Sequence, residues 1–244
     1  MHDLSKLQLP EMILIGRDVR ALGRNASTME AAASEVTSYL YNCFRDPTTQ
    51  KSLCALIRCF TTHPYEHLPP PLQSIAAQGL GDAAPAPGLR CLTLLATNGD
   101  QPAWNDRHAS LSHQVIPLPT THVLEQAPMI SQMILQMGLE LSQVVEPAST
   151  LRTDAARRSF QVFHVENAPG HPFVPAQHDF VGPAGIQSVL GFGGMLTSGE
   201  IFAVVMFSKV HISRETAQLF RTLALNVKLV FLPFSGRRIF ASET

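Results

Sequence analysis

The stretch SVLGFGGMLTSGEIFAVVMFSKVHISRETAQLFRTLALNVKLVFL, Ser188 to Leu232, decides how the chain is read. Two apolar runs of strand length, SVLGFGGML and IFAVVMFSKV, are joined by the turn residues Thr197, Ser198, Gly199 and Glu200, which is the pattern of a hairpin. Ser213 follows as an N-cap with Glu215 in the first turn, and Leu219, Phe220, Leu223 and Val227 keep helical register, so a long amphipathic helix closes the segment. The glycines in Gly191-Phe192-Gly193-Gly194 lie inside the first apolar run. A phosphate-binding loop leaves a strand and opens a helix, whereas glycine within a strand marks a bulge or the close approach of another backbone or a ligand.

Upstream, the texture alternates. Ser27 and Glu30 spell a capping box, and Met29, Ala33, Val36, Leu40 and Cys43 follow at helical spacing, predicting a helix over 28–45. Leu53, Leu56, Ile57 and Phe60 extend the same period through TTQKSLCALIRCFTTH and predict a second helix ending near His63. PPPLQSIAAQGL reads as a third, short helix, and GDAAPAPG, Gly81 to Gly88, as a linker. Residues 1–26 show no sustained period and are expected to form a loose arm. Strands are then predicted at LRCLTLLAT (Leu89–Thr97), HQVIPL (from His113) and SFQVFHVE (Ser159–Glu166). Between them lies a methionine-rich helical surface of Met129, Met133, Leu135, Met137, Leu139 and Leu141, divided near Pro128. An irregular segment rich in Pro and Gly spans 167–185. The resulting organisation is an N-terminal arm and helical extension over 1–80, a sheet-containing domain over 89–234 and a tail over 235–244, the helices and sheet forming one compact unit.

The totals exclude several classes. With 244 residues, 18 basic against 19 acidic side chains and a formal charge of −1, the chain lacks the cationic excess that neutralises nucleic-acid phosphates. Its only basic pairs are Arg157-Arg158 and Arg237-Arg238. Charged residues are 15% and hydrophobic ones 45%, favouring a well-buried domain with a self-association face. The N-terminus, MHDLSKLQLPEMILIGRD, is not a secretory signal, and no apolar run approaches the roughly 20 residues that span a bilayer. Cys43, Cys54, Cys59 and Cys91 form no C-x-x-C pair, three of them falling in apolar patterns read as helical, which fits a reducing, cytoplasmic setting.

His63 to His67, HPYEH, spells the H-x-x-E-H of one zinc peptidase class. That chemistry needs both histidines on one helical face. Pro64 disfavours helix at His63, and Pro69, Pro70 and Pro71 follow at once, so the stretch reads as a turn. Nor is there a G-x-S-x-G nucleophile elbow, and no catalytic residue is assigned.

The 185–232 segment resembles the end of GAF domains: strand, tight turn at Ser198-Gly199-Glu200, strand IFAVVMFS, closing helix HISRETAQLFRTLALNV. LIRCFTTHPYEHLPPPLQ, CLTLLATNGDQPAWNDRHASLSHQVIPLP and QVFHVENAPGHPFVPAQHDF look like the sensory N-terminal regions that precede PAS and histidine-kinase or cyclase modules in bacterial signalling proteins. The resemblance implies an α+β, GAF/PAS-like fold whose central antiparallel sheet carries helices on one face and a small-molecule pocket under the other. It implies a cytoplasmic, non-enzymatic sensor, of unidentified ligand or cofactor, acting through helix contacts on a signalling partner such as a kinase or cyclase. Trp104, His113, His164, His178, Phe180 and Phe192 are the expected ligand-binding residues, chosen for loop position and chemistry. The helices at 28–45 and 213–232 are expected to bundle in a homodimer. No metal site, nucleic-acid partner or membrane partner is expected. The alternative is a haem- or metal-dependent redox sensor or enzyme using the histidines and cysteines.

Overall fold

The computed structural model describes residues 1–110, 113–146, 161–236 and 238–240. The basic pair Arg157-Arg158, the first two residues of the SFQVFHVE strand and half of the expected tail lie outside them. In chain order the elements are α1 (Leu9–Ala21), α2 (Met29–Cys43), β1 (Cys54–Pro64), α3 (Pro70–Gly79), β2 (Arg90–Gly99), β3 (Val115–Leu118), α4 (Thr121–Glu125), α5 (Pro128–Gln136), α6 (Leu141–Val145), β4 (Val162–Val165), β5 (Ser188–Met195), β6 (Ile201–Ser208) and α7 (Arg214–Phe231). The strands form one sheet in the order β3-β2-β1-β6-β5-β4, with every neighbouring pair antiparallel.

The decisive hairpin forms as expected, with Met195 opposite Ile201 and Ser188 opposite Ser208. Gly193 permits it. A Cβ there would lie 2.0 Å from the Phe202 carbonyl oxygen and 2.9 Å from Ala203 Cα, well inside van der Waals contact with backbone. Ser213 Oγ accepts the Thr216 N–H at 3.2 Å and caps α7.

Three expectations are corrected. The helix predicted through TTQKSLCALIRCFTTH is instead β1, the strand at the centre of the sheet, between β2 and β6. A central strand is buried on both faces, so its apolar residues run continuously and mimic helical spacing. Ile57 and Cys59 enter one core, Leu56 and Phe60 the other. Cys54 and Cys59 therefore sit on a strand rather than on a helix. The loose arm expected at 1–26 contains α1, where Met12, Ile15, Gly16 and Val19 form the buried stripe. Pro10 occupies the first turn, where no N–H is needed, and Glu11 accepts the Gln8 N–H at 3.0 Å. The α2 cap is Thr28 rather than Ser27, its hydroxyl accepting the Ala31 N–H at 3.1 Å.

The sheet divides two cores. On one face α1, α2 and α7 cover the strands, with Phe220 against Phe44 and Phe192 (ring centroids 5.9 and 5.5 Å) and Phe231 against Phe202 (5.4 Å). Together with its following turn, α7 is long and apolar enough to cross a membrane by length and composition, but half of it is buried in this core. On the opposite face α5 and α6, with the connection before β5, pack over β1, β2, β5 and β6. α3 closes the edge beside β3.

Candidate functional site

The second face carries the candidate site. Its floor is the outward row of β1, Leu56, Arg58, Phe60 and Thr62, flanked by Ala203, Val205 and Phe207 of β6. Its roof is α5, α6 and the turn between them, which hold Ile130, Met133, Ile134, Met137, Leu139 and Val144 over the strands. Between Thr62 and Ala203 of this floor and the roof is a cavity of about 20 Å³ in water-centre volume, completed by Leu92, Leu118 and Ile201. That is about the minimum that holds one water, and an apolar lining of this kind stays dry.

Glycine sets the distance between the layers. A Cβ at Gly191 would meet Met133 Sδ at 3.3 Å, and one at Gly193 would meet Met137 Cε at 2.9 Å, so the methionines rest on bare backbone of β5. Thr62 fixes one end of the cavity. Its hydroxyl accepts the Ile201 N–H at 2.9 Å and an Arg90 guanidinium N–H at 3.4 Å, while that guanidinium also donates to the Gly199 carbonyl at 3.0 Å.

At the other end of the face the rings of Trp104, Phe180 and Phe207 stack edge to face, with centroids 5.4 and 5.0 Å apart. Thr97 holds the turn bearing Trp104 through a 2.8 Å bond to its carbonyl. Arg58 lies between this aromatic group and the cavity, opposite Thr97 of β2 and Val205 of β6. Its Nε is buried without a hydrogen-bond partner, and burial lowers its pKa.

Of the six residues expected to bind a ligand, Trp104 and Phe180 are brought together here. His113 is exposed, yet partial desolvation and the Arg58 charge lower its pKa. His178 is exposed on a π-helical turn, Gln177–Val181. Phe192 and His164 belong to the helical face: Phe192 is fully buried against Phe220, and His164 Nε2 is 2.9 Å from the Ile212 carbonyl oxygen, its pKa lowered chiefly by burial. The methionine surface was visible at its spacing in the sequence, although its role as a roof was not. Arg58 had a signal too, as the one charge inside CALIRCF.

A solved structure similar to this chain is the GAF domain from a phosphoenolpyruvate-protein phosphotransferase of Coxiella burnetii, 14% identical over 91% of this chain and 93% of that one, with a TM-score of 0.44. No protein-family model matches the sequence, and no curated protein does. By its own topology the fold is α+β, an antiparallel sheet with α1, α2 and α7 on one face and a second layer on the other, the arrangement that the C-terminal resemblance implied.

Within this fold the remaining reactive groups are shielded. All four cysteines are buried, and burial pushes Cys43 up to about 11 and Cys54 and Cys91 up to about 12. Cys59 is raised further still by the same cause. A metal or redox role requires the thiolate, which these sites disfavour. His63, Glu66 and His67 share no helical face: His63 ends β1 inside the protein, while Glu66 and His67 are exposed in the 3₁₀ turn Tyr65–His67. Among the described residues no group of three His, Cys, Asp or Glu side chains is arranged to hold a metal.

Proposed function

We propose that the chain is a cytoplasmic, non-catalytic sensory module that takes up a small molecule between its sheet and the α5–α6 roof and passes the change to a signalling protein. The cavity under Met133 and Met137 carries this reading. Methionine side chains are unbranched and re-pack easily, so a ligand larger than the resting cavity enters by displacing them. Such a ligand favours one position of the roof over the other, and that differential affinity is all that a population shift requires.

The test is cavity filling. Ala203→Val places methyl groups in the space and is expected to cost at most about 1–3 kcal/mol. Wild-type protein should be thermally stabilised by small-molecule hits from a fragment screen, and A203V should not. Equal stabilisation of both proteins would put the ligand elsewhere.

Self-association is part of the same proposal. Leu9 and Ile13, four apart on α1, are 52% and 55% exposed, and Leu225 and Leu229, four apart on α7, are each 46% exposed. The two helices pack together, with Asn226 seated over Gly16. The apolar residues of α2 are instead buried on the sheet, so α1 joins α7 as the outer pair. A second copy of the chain covering these side chains would place the output helices at a dimer seam.

A further inference from the structure

Arg58 is poorly explained by folding alone. It stands at the centre of the central strand, on the ligand face, with an apolar residue two positions away on either side, Leu56 and Phe60. Its guanidinium is permanently charged, its Nε is buried and unbonded, and among the described residues no carboxylate pairs with it. A buried donor without a partner costs stability, and an apolar side chain would fill the same place without that cost. The position is also informative, because the aromatic group of Trp104, Phe180 and Phe207 lies on one side of it and the methionine cavity on the other. Arg58 does not itself line the cavity, so a ligand reaches its guanidinium by extending along β1 past Phe60.

We propose that the ligand of this face is a small monocarboxylic acid with an apolar body, its carboxylate paired with the Arg58 guanidinium and its body held by the apolar walls. This rests on the small-molecule reading above and names its ligand class. A single, partly buried cation balances a single negative charge, whereas a dianionic phosphate would leave a net charge against the apolar walls. The planar guanidinium fork also matches a carboxylate in two parallel hydrogen bonds.

The experiment titrates wild type, Arg58→Met and Arg58→Lys with benzoate against benzamide and with hexanoate against hexanamide, by calorimetry. The acids should bind wild type, bind R58K more weakly, and lose about tenfold to a hundredfold in affinity in R58M, as expected for a charge-assisted pair. The amides should bind wild type and R58M alike, which also shows that the variant is folded; Arg58→Gln replaces R58M if that variant is not. A readout needing no variant is His113, whose imidazole pKa should rise on benzoate binding, as the anion offsets the Arg58 charge, and not on benzamide binding. If amides bind wild type as tightly as acids, or R58M keeps full affinity for acids, the carboxylate assignment falls and the pocket stands. If no acid or amide binds wild type, the small-molecule reading fails and takes this inference with it.

Discussion

His63 offers a stability test that needs no ligand. Its side chain ends β1 only 2% exposed, packed edge-on against Phe240 at 5.7 Å, and Nε2 has no hydrogen-bond partner. Burial first, then the nearby Arg90 and His67 charges, lower its pKa from 6.5 to about 3. The folded chain thus keeps a neutral imidazole where the unfolded chain binds a proton. Stability is full above about pH 6.5 and falls as the pH drops towards the folded value. At 1.36 kcal/mol per unit, the 1.5 units between 6.5 and pH 5 amount to about 2 kcal/mol. Carboxylates titrate lower, but His113 and His164 are lowered in the same direction, so the comparison must isolate one residue. His63→Leu keeps the contact with Phe240 and removes the titrating group. Urea unfolding, followed by circular dichroism at pH 7.5, 6 and 5, should show wild type losing about 2 kcal/mol more than H63L across that range. At pH 7.5 the two should lie within about 1 kcal/mol, because the orphaned nitrogen is gone as well. Parallel pH dependences would refute the buried, neutral imidazole.

Two of the β5 glycines, Gly191 and Gly193, should separate in their response to a methyl group. Gly193→Ala meets backbone at 2.0 Å and should cost about 3 kcal/mol or more, whereas Gly191→Ala meets the Met133 sulfur and Phe163 ring at 3.3 Å and should cost about 1 kcal/mol; equal losses in denaturant titrations would mean that the hairpin is not so closely spaced. For self-association, wild type should sediment as a dimer at high micromolar concentration and the Ile13→Glu/Leu225→Glu double variant as a folded monomer. A monomeric wild type would remove the proposed seam.

Local patterns carried much of this protein. The hairpin at Gly199, the Ser213 cap and the register of Leu219, Phe220, Leu223 and Val227 are all decided within a few residues, and each element formed as its sequence implied. Glycine inside β5 likewise announced a close approach, though not that the partners would be the Phe202 carbonyl and two methionines. Of the aromatic residues expected to bind a ligand, Trp104 and Phe180 meet on one face, while Phe192 faces the other core because side chains alternate along β5.

What only the tertiary structure decided was the identity of β1 and, with it, the candidate site. CALIRCF has no alternation to read, because both of its faces are covered, and burial on both faces is a property of strand order that no local spacing encodes. Once β1 lies between β2 and β6, the face of Arg58 is fixed, the methionines of α5 become the roof above it, and a charge that looked incidental in the sequence stands beside the cavity. The sequence by itself determined the hairpin, the closing helix and the apolar character of the roof. The pairing of distant strands determined which of its residues share a face.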